Sequence, residues 1–79
     1  MGIENVVLEY KKTKDKKLFN YIISHYKPIF KSSVRKYYGK SYDMEIDEVF
    51  EDLIKYYFEN DLKDKLSGYL YKKSKTIFN

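Results

Sequence analysis

The 79-residue chain contains no cysteine, no tryptophan, one histidine, one proline and three glycines. Without cysteine it has neither a disulfide framework nor a thiolate zinc site, and this composition suits a reducing cytoplasm. His25 has no second histidine or cysteine near it, so the parts of a metal centre or a nucleophilic triad are missing. The isolated glycines provide no phosphate-binding loop. We therefore expect a protein that is not an enzyme, with no catalytic residue, metal site or cofactor.

The chain also lacks a long apolar run. No segment approaches the roughly 20 apolar residues of a membrane span, and the N-terminus shows no basic leader followed by an apolar stretch. We expect a cytoplasmic protein whose partners include neither a membrane nor a small-molecule substrate. Hydrophobic residues make up 43% of the chain, which favours a single folded domain over residues 1–79 with a modest core.

Tyrosine and phenylalanine, by contrast, are abundant, with ten and five copies. Aromatic side chains fill a small core with few residues, and the tyrosine hydroxyl tolerates a half-exposed position. The same rings stack on unpaired bases where Lys or Arg lies beside them. Most of these residues are expected at core and boundary positions.

Apolar residues recur at helical spacings along the whole chain, and no stretch alternates as a strand would. The pattern predicts an all-α fold, a compact bundle of about four helices. The first helix is expected over 3–12, the second over 16–38, the third from position 43, and the last after a connection at 60–64. The expected N-caps of the last three helices are Asp15 or Thr13, Asp43, and Asp61 or Asp64.

Pro28 lies inside the second predicted helix. Because proline lacks the amide donor, we expect a kink or a broken turn near 24–27. Gly39 is expected to end this helix. The predicted inner residues are Phe19, Ile23, Tyr26, Phe30, Val34 and Tyr37 in the second helix, Ile46, Phe50, Leu53 and Tyr57 in the third, and Leu66, Leu70, Ser74 and Ile77 in the last.

Charge is distributed in blocks. Residues 14–40 hold eight Lys or Arg and one Asp, 43–52 hold six carboxylates and no cation, and the last helix is again basic. Such blocks favour two partners of opposite sign, one basic and one polyanionic. Two simpler explanations stay open: the acidic helix face is only solvated, or it neutralises the basic helix through surface pairs worth about 0–1 kcal/mol each.

Three stretches resemble conserved region 2 of bacterial RNA polymerase sigma factors, in the same order and at similar spacing. Residues 18–30 are similar to its opening helix. Near its end this helix has the pattern aromatic, any residue, proline, aliphatic, and a basic stretch follows it. Residues 43–54 are similar to the acidic helix that follows. Residues 67–75 are similar to a helix found in extracytoplasmic-function sigma factors and clostridial toxin-gene regulators. That helix has the pattern Trp or Tyr, then Leu, then Tyr, then a basic residue. The resemblance implies a bundle like sigma factor domain 2.

The resemblance also implies roles for particular residues. In the family the acidic helix docks on the clamp helices of the polymerase β′ subunit, and the last helix faces the promoter −10 element. The implied polymerase-binding residues are Asp47, Glu48, Phe50, Glu51 and Asp52, with Phe50 at the position of a family Gln. The implied DNA-binding residues are Lys65, Tyr69, Tyr71, Lys72, Lys73 and Lys75, the tyrosines near unpaired bases and the lysines on phosphates.

Relatives continue the last helix further and carry a second domain that reads the −35 element. The resemblance therefore implies the co-subunit of a split sigma factor of the RsoA type, completed by a separate protein that carries region 4. A truncated domain of a toxin-gene-type sigma factor stays open. Two other functions also stay open: a small helical DNA-binding regulator unrelated to polymerase, and an interaction module that binds no nucleic acid.

Overall fold

The computed structural model describes residues 2–76, and these form four α-helices and no strand. The helices are α1 (Ile3–Thr13), α2 (Lys16–Tyr38), α3 (Asp43–Glu59) and α4 (Leu66–Thr76). The predicted all-α class and the predicted number of helices are therefore confirmed. Within residues 2–76, none of the helices combines the length with the apolar character that a membrane span requires.

Helix α2 lies at the centre and contacts each of the other three helices. Its buried residues follow one another in steps of four: Ile22, Tyr26, Phe30 and Val34. Tyr38 continues this stripe and is half-buried. Tyr37, which we expected to face inward, is 44% exposed, because at this end of α2 it is Tyr38 that packs against the core.

The predicted broken turn at Pro28 is absent, since α2 runs from Lys16 to Tyr38 without interruption. Pro28 and Ser24 are both exposed, so water can satisfy the Ser24 carbonyl that loses its amide partner. Tyr26 and Phe30, on either side of the proline in sequence, are buried in the core. Both turns that adjoin the proline are therefore anchored in the core by a buried ring.

The caps of α2 match the sequence predictions. The Asp15 carboxylate accepts a hydrogen bond of 2.9 Å from the Lys17 amide, which satisfies one of the free amides of the first turn. At the other end Gly39 adopts a left-handed φ of 70° and donates its amide to the Arg35 carbonyl. Glycine takes this conformation without the steric penalty that a side chain would bring.

The predicted caps of α3 and α4 are wrong. Tyr42 precedes α3, and Asp43 is its first residue, because the Asp43 carboxylate binds Arg35 instead of an α3 amide. The residue before α4 is Lys65, whose carbonyl accepts the Tyr69 amide. Asp61 and Asp64 lie further back in the connection.

The core combines the inner faces of all four helices. In α3 the buried residues include Ile54, and the predicted Leu53 is only half-buried at the edge of the core. In α4, Leu66, Leu70 and Ser74 are buried as predicted, and the Ser74 hydroxyl donates to the Tyr71 carbonyl at 2.7 Å. Ile77, the last predicted inner residue, lies outside the described residues.

Helix α1 closes one side of the core and ends one residue later than predicted. Val6 and Val7 are buried, and the Tyr10 ring lies 5.3 Å from Phe19 and 4.6 Å from Phe58, centroid to centroid. These distances are typical of tilted and edge-to-face aromatic pairs. The abundant aromatic residues therefore serve largely as core and boundary groups here, as expected.

Replacing Phe50 by alanine is expected to lower the free energy of unfolding by about 3–5 kcal/mol, because its ring is fully buried 5.4 Å from Phe30. A domain of this size has a total stability of about 4–12 kcal/mol, so the variant should lose a large share of it and unfold at a clearly lower urea concentration. The control is Met44→Ala, at an 87% exposed position, which should change stability by less than about 0.5 kcal/mol. Equal effects of the two substitutions would contradict the packing described.

The Arg35–Asp43 pair should make stability depend on pH in acid. Hydrogen bonding by Arg35 lowers the pKa of the Asp43 carboxyl from its ordinary value of 3.8, so the pair stabilises the fold above pH 3.8 and this contribution disappears as pH falls through the lowered pKa. Asp43→Asn should therefore unfold at lower urea than the natural chain at neutral pH, and the difference should vanish in acid. A difference that persists unchanged in acid would contradict this. Glu9→Gln, an exposed carboxylate of α1, is the control.

Candidate partner-binding and nucleic-acid-binding surfaces

The outward side of α3 carries four of the predicted binding residues: Asp47, Glu48, Glu51 and Asp52, here called the acidic face. All four are exposed, because Ile46, Phe50, Ile54, Tyr57 and Phe58 occupy the inner side of the helix. Within residues 2–76, the carboxylates of Glu48, Glu51 and Asp52 belong to no ion pair. These three groups are available to a cationic partner.

Asp47 differs from its neighbours because it faces α2. Its carboxylate lies 3.4 Å from the Lys27 ammonium group, and a second pair, Arg35 with Asp43, joins the same two helices at 2.6 Å. The acidic helix therefore does neutralise part of the basic helix, as one of the simpler explanations held. That explanation does not extend to Glu48, Glu51 and Asp52.

Phe50, which the resemblance places among the polymerase-binding residues, is not part of this surface. It is fully buried, and its ring packs against Phe30. The helical period that places Ile46 inside also places Phe50 inside, one turn later. Phe50 supports the acidic face from within the core, and we remove it from the candidate binding residues.

The second surface forms where the C-terminal turns of α2 and α4 meet. Lys75 of α4 places its ammonium group 4.2 Å from the centroid of the Tyr71 ring and 5.8 Å from that of the Tyr37 ring. Lys36 of α2 lies 6.0 Å from the Tyr37 ring. These four residues, Lys36, Tyr37, Tyr71 and Lys75, are called the tyrosine–lysine cluster. Tyr37 and Tyr71 are 44% and 51% exposed, so both rings are accessible.

Hydrogen bonds among these side chains shift their protonation equilibria. Hydrogen bonding by Lys75, and then by Tyr37, lowers the pKa of the Tyr71 hydroxyl. The same bond with Tyr71 raises the pKa of Lys75, and donation to Tyr71 raises the pKa of Tyr37. Lys75 is therefore held firmly as a cation between two exposed aromatic rings, an arrangement that suits an anion carrying a flat group.

The other predicted DNA-binding residues lie apart from this cluster. Lys65, Lys72 and Lys73 are exposed; the Lys65 ammonium group lies 3.5 Å from Glu4. Tyr69 is only 9% exposed, and its ring lies 5.4 Å from Tyr57. The structure places the Tyr69 ring on the inner side of α4 with Leu66 and Leu70, so it does not present this ring at the surface.

Lys36 and Tyr37 are the cluster residues that the sequence analysis missed. Helical spacing predicts an inward position for Tyr37, and only the packing of Tyr38 against the core leaves Tyr37 at the surface. The neighbouring Tyr38 donates its hydroxyl to the Lys75 carbonyl, which fixes the last turn of α4 against α2. That contact, between residues 37 positions apart, brings Tyr37 to Tyr71.

Titration of the tyrosines tests the geometry of the cluster. The pKa of Tyr71 should lie below the ordinary value of 10.0 and that of Tyr37 above it. Both can be measured by following the ring resonances with pH in nuclear magnetic resonance spectra. Lys75→Gln should raise the pKa of Tyr71 back toward 10.0, because the hydrogen-bonding cation is removed. Lys72→Gln, on the same helix, is the control and should leave Tyr71 unchanged. A Tyr71 pKa that does not respond to Lys75→Gln would show that the contact is absent in solution.

Comparison of the chain with protein-family models, with curated proteins and with solved structures gives no match.

Proposed function

We propose that the chain acts in transcription initiation as the region 2 half of a two-subunit sigma factor. Glu48, Glu51 and Asp52 of the acidic face bind basic groups on the clamp helices of the RNA polymerase β′ subunit. The tyrosine–lysine cluster binds the separated strand of the promoter −10 element, and a separate protein supplies region 4. One observation carries the proposal: a single small domain presents unpaired carboxylates on α3 and exposed tyrosines beside cations on α2 and α4.

The acidic half of the proposal is supported by carboxylates that the fold leaves without a partner. Glu48, Glu51 and Asp52 are exposed and belong to no ion pair among residues 2–76. Three like charges within five positions of one helix repel one another, and a basic partner relieves that repulsion. Charge pairs that become desolvated in an interface contribute more than exposed pairs do, and they also speed association.

The nucleic-acid half is supported by the chemistry of the cluster. Tyr37 and Tyr71 present accessible rings, and a base stacked on such a ring contributes about 1–3 kcal/mol. Lys36 and Lys75 lie beside these rings, at the position where a phosphate of the same strand would be neutralised. Stacking of this kind is available to unpaired bases and not to bases within a duplex, so the cluster favours a single strand.

A second candidate is a DNA-binding regulator that needs no polymerase. Exposed lysines beyond the cluster, including Lys40, Lys72 and Lys73, favour it because they add phosphate contacts that act equally on duplex DNA. Under this alternative the acidic face is a solvated surface. The two candidates differ in whether polymerase binds and in whether a single strand is preferred over a duplex.

Reversal of one charge on the acidic face is expected to weaken binding to RNA polymerase. Glu51→Lys should raise the dissociation constant for the β′ clamp helices at least tenfold, which is about 1.4 kcal/mol, because it removes an attraction and adds a repulsion. Glu9→Lys makes the same change on α1 and is the matched control. Failure of the natural chain to bind polymerase would contradict the proposal, and equal binding by both variants would remove Glu51 from the docking surface.

Removal of the cluster rings is expected to weaken binding to single-stranded DNA of −10 sequence. Tyr71→Ala and Tyr37→Ala should each raise the dissociation constant about 5–150-fold, since each removes one stacking platform. Lys75→Gln should also reduce the slope of log affinity against log salt by about 0.7. Tyr21→Ala, at a similarly exposed tyrosine of α2, is the control. Tighter binding to duplex DNA than to the single strand would favour the second candidate instead.

A further inference from the structure

An open groove of about 420 Å³ separates α3 from α4. Its lining residues are Val49, Asp52, Leu53 and Tyr56 from α3, and Tyr69 and Lys73 from α4. Val49 and Leu53 are half-buried, and Tyr56 is 55% exposed. The floor is therefore apolar and accessible along one side of α3.

Asp52 lines this groove, and it belongs to a row of carboxylates along α3. Glu45, Asp52 and Glu59 recur every seven residues, so they lie along one line of the helix, next to the line of Val49 and Tyr56. This row extends over fourteen residues, about 21 Å. Its three carboxylates are exposed and belong to no ion pair within residues 2–76.

The charge of this edge restricts what can occupy the groove. A nucleic acid or an anionic lipid surface would be repelled by the row of carboxylates. In a symmetric dimer formed through this groove, the carboxylate rows of the two copies would face and repel each other. A basic amphipathic helix of about four turns meets both requirements, because its apolar side fits the floor and its cations reach the row.

We infer that the groove between α3 and α4 receives a basic helix of RNA polymerase, an inference that rests on the proposed function and refines the location of its docking surface. An apolar side chain of that helix enters beside Tyr56, and its Lys or Arg residues pair with Glu45, Asp52 and Glu59. Docking thus takes place on the α4 side of α3. The opposite side is less suited, because Asp47 already pairs with Lys27.

Tyr56 is the expected anchor of this interface. It is a large, exposed aromatic residue that lines the groove, and residues of this type contribute most to binding once water is excluded around them. Its exposure in the free chain indicates that its ring is not needed for the core. A Tyr56 variant should therefore fold, and its effect on binding can be separated from an effect on stability.

Affinity of the full chain for bacterial core RNA polymerase tests this location, measured by fluorescence anisotropy with circular dichroism as a check on folding. Tyr56→Ala and Asp52→Lys should each raise the dissociation constant at least tenfold. Tyr21→Ala and Glu9→Lys, the matched controls on α2 and α1, should stay within twofold of the natural chain. Asp47→Asn should also stay within twofold, because Lys27 already neutralises that carboxylate.

The outcomes separate the two claims. If the natural chain binds polymerase but Tyr56→Ala and Asp52→Lys bind within twofold of it, docking occurs elsewhere; the groove inference is overturned while the proposed function stands. Loss of binding in Asp47→Asn equal to that in Asp52→Lys would likewise overturn the groove as the docking edge. If the natural chain does not bind polymerase at all, the proposed function fails and the inference fails with it.

Discussion

Burial of one row of α2 residues, spaced four positions apart, is the constraint on which the rest of the structure depends. Ile22, Tyr26, Phe30 and Val34 lie in the core, and the other three helices all pack against α2. A chain of this length forms only a small core. The side of each helix that packs against α2 therefore determines which side of that helix is exposed. The positions of both candidate surfaces follow from which helix sides pack against α2.

The ion pairs between α2 and α3 have a further consequence for charge. Lys27–Asp47 and Arg35–Asp43 join the two helices along one edge of α3. Each is a partly exposed pair and contributes little to stability by itself. Their larger effect is on the other edge of α3, next to the apolar groove along α4, where the carboxylates have no ion-pair partner within residues 2–76. Neutralisation on one edge thus leaves charge available for a partner on the other.

Phe50 and Tyr69 show where periodicity was a better guide than resemblance. Both were assigned binding roles from similarity of short patterns, and both are buried. Phe50 lies four residues after Ile46, and Tyr69 three after Leu66, so helical spacing alone indicates the inner side for each. Burial of an aromatic ring in a core this small stabilises the fold more than an exposed position would. Tyr71, two residues further on, projects from the other side of α4.

The sequence by itself determined the helical class, the bounds of α2, the Asp15 and Gly39 caps and the blocks of charge, because these depend on neighbours within one or two turns. Only the tertiary structure decided that Tyr37 meets Tyr71, that Asp47 meets Lys27, and that Tyr56 borders an open groove. These contacts join residues 20 to 40 positions apart in sequence, or reflect the space left between two helices. They depend on the angle and register at which helices pack, which local periodicity does not specify.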